Sequence, residues 1–410
     1  MFFIYNILIN IVFFFSPLIV IIRILKGKES LKRFKEKLGF FTKKRVAGNL
    51  IWFHGASVGE IQSIIPLIEK IEKDKKIKQI LITSNTLSSS YILKKIKIKK
   101  SIHQFFPIDC NFVSNKFLNY WKPSKAFFID SEIWPNMICN LKNRNIPITL
   151  LNARITKRTF NRWMKLPKFS EFIFSKFTLC LCSNKESNNF LKKLGAKKTK
   201  YFGNLKFTQS ETQNVNIDMN LKKFISSRNS WCASSTHYNE EKYFGIAHLK
   251  LKKKYKKIIT IIIPRHVSRV KQIINELNKL NLNVHLDYPR KKIKNNTDIY
   301  LVNSYGKTKA IFKICKNIFL GGSLINHGGQ NPIEAARYGC RIFHGPYVTN
   351  FREIYDYLKE IGVSHKISNQ NHLKDILEKK INMKNYSRET IKKLNLEGRR
   401  ILNKTYNEIC

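Results

Sequence analysis

The chain has 410 residues, 43% of them hydrophobic, with only 17 Gly and 11 Pro. This length exceeds the size at which one core keeps growing, and the composition excludes collagen-like or low-complexity architecture. Lys and Arg number 76 against 27 Asp and Glu, a formal net charge of +49, so the partners to expect are polyanions: nucleic acid, an anionic membrane face or phosphorylated substrates.

Met1 to Ile22 carries no charge and is rich in Phe, Ile, Leu and Val, long enough to span a bilayer. Arg23, Lys26, Lys28, Lys32 and Arg33 follow, so the positive-inside rule places the downstream body in the cytoplasm. The stretch lacks the basic n-region and small-residue cleavage site of a secretory signal. Asn10 and Pro17 leave open a shallow monotopic helix in place of a full span. Membrane attachment is the expectation, with the flanking cations held by anionic lipid.

From residue 50 short apolar strands alternate with helices. Strands are predicted over 50–54, 79–83, 104–106, 126–130, 147–151, 178–182 and 200–202, with amphipathic helices such as 61–73 and 185–194. A second series covers 230–233, 258–263, 283–286, 299–302, 317–320 and 341–344. Such alternation means parallel sheets with helices on both faces. The polar, aperiodic run 205–228 reads as a linker. The organisation expected is α/β: a membrane anchor (1–25), a Rossmann-like domain (26–207), a linker (208–228), a second Rossmann-like domain (229–390) and a C-terminal helix (391–410), with the two parallel sheets facing across a cleft. Eight scattered cysteines lack the paired CxxC spacing of a zinc site and read as reduced, mostly buried thiols.

Several strand ends carry polar groups. Ile51 to Glu60 reads as a buried strand, a small-residue turn (Gly55, Ala56, Ser57, Gly59) and a helix start, delivering Glu60 to the carboxyl end of an early strand, the rim where open α/β sheets bind ligands. Ser57-x-x-Glu60 is equally a capping box. The apolar run Phe127 to Ile129 ends in Asp130 and Glu132; acids at that spacing suit either a metal or the capping of the following helix. In the second half, Trp231 to His237 precedes Glu240 and Glu241. Ile263-Pro264-Arg265-His266 ends a very apolar strand with a guanidinium suited to phosphate. The third candidate is Gly321-Gly322-Ser323, leading to His327-Gly-Gly-Gln-Asn331-Pro332-Ile333-Glu334, a glycine-rich turn into a helix start. No P-loop or GxGxxG run is present, and no RNP, KH or zinc-finger motif supports nucleic-acid binding.

Taken in order, these motifs resemble the 3-deoxy-D-manno-octulosonic acid (Kdo) transferases of lipopolysaccharide synthesis. The resemblance runs from about residue 20 to about 365 through His54-Gly-Ala-Ser-Val-Gly-Glu60, Phe106-Pro-Ile-Asp109, Asp130-Ser-Glu-Ile-Trp-Pro-Asn136 and Asn152-Ala-Arg154. It continues in Gly203-Asn-Leu-Lys206, Ala233-Ser-Ser-Thr-His237, Pro264-Arg-His266, Gly321-Gly-Ser323, Gly329 to Glu334 and Gly345-Pro346. It implies a GT-B fold with an N-terminal acceptor domain and a C-terminal domain for CMP-Kdo, at the cytoplasmic face of the inner membrane. The implied acceptor is a bisphosphorylated lipid A precursor (lipid IVA), which gives the basic balance a purpose beyond codon bias toward A and T. The implied reaction inverts configuration and uses neither metal nor cofactor besides the donor. Glu60 would be the general base, Lys206 would supply charge near the leaving CMP, and Asp130, helped by Glu132, would position or stabilise the transition state. CMP contacts would map onto Pro264 and Arg265, onto Tyr305, Gly306 and Lys307, and onto Asn331, Pro332, Ile333 and Glu334. Asp130 stands where the family usually has glutamate, Lys307 where it has an acid, and Gln330 where it has histidine. The alternative is a membrane-associated GT-B glycosyltransferase using another nucleotide-sugar.

Overall fold

The computed structural model describes residues 1–96, 98–209, 216–288, 292–383 and 388–410. It divides into two compact units, Met1–Ser210 with Glu397–Cys410, and Glu211–Leu396. The first unit is built on strands β1 (Asn49–His54), β2 (Ile77–Ser84), β3 (Ser101–Phe105), β4 (Lys125–Ile129), β5 (Ile148–Ala153), β6 (Leu179–Cys182) and β7 (Thr199–Tyr201). They form one parallel sheet in the order β3-β2-β1-β4-β5-β6-β7. The order reverses between β1 and β4, and a ligand crevice opens at such a switch point beyond the strands' carboxyl ends.

The second unit repeats the plan. Its strands are β8 (Asn229–Thr236), β9 (Ile258–Pro264), β10 (Val284–Leu286), β11 (Ile299–Leu301), β12 (Asn317–Leu320), β13 (Arg341–His344) and β14 (Ser364–Lys366). Their order is β10-β11-β9-β8-β12-β13-β14, again parallel, with the switch between β8 and β12. Central strands such as β9 are buried along their whole length, as sheets covered by helices on both faces require. In the first unit Trp52 packs on Phe117 and Phe128 with ring centroids 4.9 and 5.3 Å apart. Truncating such a residue costs about 3–5 kcal/mol.

The segment 208–228, read as a linker, holds a short helix, Met219–Ser226, capped by the Asp218 side chain and buried through Leu221 and Ile225. Two apolar contacts in eight residues are too few to produce a legible period. The last helix is Arg388–Ile409, starting before 391, and its final turns belong to the first unit. There Lys70 donates to Asn403 (2.7 Å), Lys200 pairs with Glu408 (2.6 Å) and Lys125 donates to the Ile409 carbonyl (2.7 Å). Seven cysteines are buried and Cys410 is exposed.

Candidate active site

In the first unit the turn after β1 brings Glu60 back over its own helix start. The helix Val58–Glu72 is capped by Ser57, whose hydroxyl oxygen accepts from the Glu60 N–H. The Glu60 carboxylate in turn accepts from the Ala56 N–H (2.8 Å) and the Ser57 hydroxyl (2.7 Å). A Cβ on Gly55 would sit 3.3 Å from the Glu60 Cβ, so glycine leaves the carboxylate room to fold back. Burial pushes the Glu60 carboxyl up to about 7; the nearby charges of Glu132 and Asp130 add to the rise, and the bonds from Ser57 and Ala56 oppose it. The helix dipole alone would keep this group ionised at neutral pH; burial outweighs it and poises the carboxyl near the midpoint.

Across the switch point, Phe128 of β4 pairs with His54 of β1, so Asp130 and Glu132 leave the sheet beside Glu60. Asp130 adopts a left-handed φ of 62°, which Asp tolerates better than most residues. Burial raises its pKa, while the positive charges of Lys206 and Arg154 lower it and Glu132 raises it further. Glu132 has other company: its Oε2 lies 3.1 Å from His54 Nε2 and accepts from the Trp134 indole N–H at 2.9 Å. His54 is fully buried, with Nδ1 3.0 Å from the Thr83 hydroxyl, which accepts from the Trp52 indole. The two carboxylates therefore serve different neighbours.

Lys206 is carried on a single turn, Leu205–Thr208, tied to the sheet from below. Buried Asn152, itself left-handed at φ 52° at the end of β5, accepts from the Leu205 N–H (2.9 Å). Asn204 accepts from the Lys206 N–H (2.9 Å), and the Thr208 hydroxyl reaches the Ser63 carbonyl on the Glu60 helix (3.4 Å). Burial lowers the Lys206 pKa, Asp130 and Glu60 raise it, and Arg154 lowers it. Glu60, Asp130, Glu132, Lys206 and Arg154 thus form one electrostatic group. Arg154 and the His54–Thr83–Trp134 set are additions to the residues singled out from sequence. The signal for His54 was present, since it opens the motif ending in Glu60, but a histidine on a buried strand reads as core until its partners beyond β4, Glu132 and Trp134, are known.

The second unit separates its candidates. At the switch point Glu240 accepts from the N–H groups of His237 (2.9 Å), Gly322 (2.8 Å), Ser323 (3.2 Å) and Leu324 (3.1 Å). The N–H donors of this glycine-rich turn, a candidate from sequence, thus hold an internal carboxylate. The carbonyl of Ser323 would lie 2.1 Å from a Cβ on Gly345, so the turn is also clamped from β13. Beside it His237 stands 4.1 Å from the His327 ring and 6.2 Å from the His266 ring. Burial and these neighbours, with Arg265 and Arg269, bring the His237 pKa down to about 4.

Pro264 is buried as the last residue of β9, and Arg265 beyond it is exposed, its N–H donating to the Thr236 carbonyl (3.0 Å). Past β11, Tyr305 is exposed and Gly306 left-handed at φ 89°. Lys307 pairs with Asp287 at 3.3 Å. Asn331 accepts from the Ile333 N–H (3.1 Å), Pro332 precedes the helix Ile333–Arg337, and Glu334 pairs with Lys309 at 3.4 Å. That ion pair joins the first turn of the helix Thr308–Ile314 to the helix start at Asn331–Glu334. Gln330, one residue before Asn331, lies 3.4 Å from His237, so the third segment also borders the histidine cluster after β8 and β9.

Two Rossmann-like units, each with its polar groups at the switch point of a parallel seven-stranded sheet, make up a fold of GT-B type. The fold is shared with UDP-GlcNAc 2-epimerase from Neisseria meningitidis (TM-score 0.56, 14% identity, 88% of this chain and 100% of that one). The family model of the 3-deoxy-D-manno-octulosonic-acid transferases (kdotransferase) matches residues 32–209. The 3-deoxy-D-manno-octulosonic acid transferase of Rickettsia bellii is 30% identical over 91% of this chain and 91% of its own length. That of Haemophilus influenzae is 28% identical over 92% and 89%. The chain belongs to the Kdo transferases.

Proposed function

We propose that the chain transfers Kdo from CMP-Kdo to a bisphosphorylated lipid A precursor at the cytoplasmic face of a membrane, inverting the anomeric configuration, with Glu60 as general base. The observation that carries this reading is the Glu60 carboxylate itself, half-buried at the β1/β4 switch point, with a pKa of about 7 and Lys206, itself beside Arg154, in its field. A base is most effective when its pKa lies near the working pH. An acceptor hydroxyl gives its proton to Glu60 as its oxygen attacks the anomeric carbon, and the bond to CMP breaks with its electron pair leaving on the phosphate. Lys206 and Arg154 supply positive charge where negative charge develops, the service that a metal gives other transferases. Asp130 holds Lys206 in its charged form; Glu132 orients His54 and Trp134 at the wall of the site. In the second unit Arg265 contacts the donor phosphate and Glu334 the ribose hydroxyls, with backbone of Tyr305–Lys307 completing the nucleotide site.

Glu60→Gln separates binding from chemistry. CMP should bind with unchanged affinity while transfer to the lipid falls by about 10²–10⁴-fold, the range for loss of a general base. Turnover within a few-fold of the parent would remove Glu60 from the role. Excess EDTA should leave the parent rate unchanged.

A further inference from the structure

The helix Phe2–Leu25 lies lengthwise on the first unit. The side chains it turns inward recur at helical spacing along its whole length: Phe2, Tyr5, Ile9, Phe13, Ser16 and Val20 are half-buried or buried. Phe2 packs on Phe172 with ring centroids 5.5 Å apart. The Tyr5 hydroxyl donates to buried Asp109 at 2.7 Å. At the other end Arg23 pairs with buried Glu29 at 2.8 Å. Of the polar side chains Tyr5, Asn6, Asn10 and Ser16, all but Asn10 face the protein, and the outward side is apolar. A helix against water has the opposite arrangement.

These contacts decide how such a helix can meet a bilayer. Tyr5 and Arg23 are about 27 Å apart along a helix axis, close to the hydrocarbon thickness of about 30 Å. A spanning helix would place Asp109 and Glu29, buried polar groups of one folded unit, at opposite faces of the membrane. The unit between them would then sit in hydrocarbon with its polar loops unsatisfied. We infer that Phe2–Leu25 is an in-plane anchor: it lies parallel to the membrane surface, embeds its outward apolar face in anionic lipid, and holds the first unit against that leaflet. The inference rests on the membrane attachment proposed above and fixes its geometry. Exposed Lys26, Lys28 and Lys32 continue from the helix end at the level of the lipid phosphates. A net charge of +49 draws the chain to anionic lipid and opposes a second copy. Asp109 follows β3, and Lys37, which pairs with Glu29, also donates to the Asn85 carbonyl just past β2. The anchor therefore runs beside the sheet rim that carries Glu60, where a substrate that stays in the leaflet has the shortest path to the base.

The test uses the full chain with Cys410→Ser and one cysteine at Phe3, Phe14 or Leu25, which are 74%, 77% and 82% exposed. Each is labelled with an environment-sensitive fluorophore and bound to vesicles containing phosphatidylglycerol, with nitroxide quenchers at graded depths. The in-plane anchor predicts one shallow depth for all three labels, about 5–10 Å below the headgroup boundary. A label at position 14 near the bilayer centre, with 3 and 25 near opposite faces, would overturn the in-plane geometry and leave membrane attachment standing. No quenching at any position would overturn both, and self-association without quenching would give the apolar face to a second copy.

Discussion

Burial sets the working state of Glu60. Its carboxyl rises from the ordinary value of 4.5 to about 7 mainly by desolvation, with Glu132 and Asp130 adding to the effect. In the proposed role of general base it would act ionised, so kcat/KM should climb as pH passes through about 7; a flat profile between pH 5 and 8 would contradict the assignment. The linkage to folding has the opposite sense. Between 4.5 and about 7 the native chain holds a proton at Glu60 that the unfolded chain has lost, so this group's contribution to stability falls as pH rises through that window. Glu60→Gln should remove both effects, leaving urea midpoints at pH 5 and 8 closer together than in the parent. At the donor end, Arg265→Ala should raise the donor KM by about tenfold or more, the equivalent of one charge-assisted hydrogen bond, with kcat little changed. Glu60 was legible in sequence because strand, small-residue turn and capping box are local signals. Its raised pKa was not, since the burial that mainly causes it, and the charges of Asp130 and Glu132 some seventy positions further on, arise only when β1 pairs with β4.

Strands with a long apolar pattern were readable, and among the three-residue strands β7, β10 and β11 were also expected while β14 was not. β9 is apolar but for Thr260, and its carboxyl end at Pro264 fell within a residue of expectation. β14 has only three residues, Ser364, His365 and Lys366, and no apolar run marks it. The glycine-rich turn after β12 was singled out in sequence, but what its N–H groups hold was not legible, because Glu240 comes from more than eighty residues away. Glu240→Gln keeps the shape and removes the charge that gathers four N–H donors. It should cost about 1.5–3 kcal/mol in denaturant unfolding, the range for hydrogen bonds to charged groups. A loss below about 0.5 kcal/mol would show that the turn holds itself. Gly345→Ala tests the same clamp from β13: its Cβ would meet the Ser323 carbonyl at 2.1 Å, a backbone clash that should destabilise by about 1–3 kcal/mol or more.

For the whole molecule, two alternating series of strands and helices announce two parallel sheets, and ordered motifs at their carboxyl ends announce the family. Net charge alone could not separate nucleic acid from lipid as the polyanion. The apolar outward face of Phe2–Leu25 beside exposed lysines supports lipid. Binding to anionic vesicles should weaken between about 0.1 and 1 M salt, as the Debye length falls from about 10 to 3 Å, without being abolished, since apolar burial persists. Which sugar is joined to which lipid is read from the mass of the lipid product. The full chain, bound to vesicles carrying bisphosphorylated lipid A precursor, is incubated with CMP-Kdo and, separately, with a UDP-sugar. Acceptor mass should increase by whole Kdo residues with CMP-Kdo only, and Glu60→Gln should give no such product. Transfer from the UDP-sugar, or an unmodified lipid in the presence of CMP-Kdo, would contradict the proposed function.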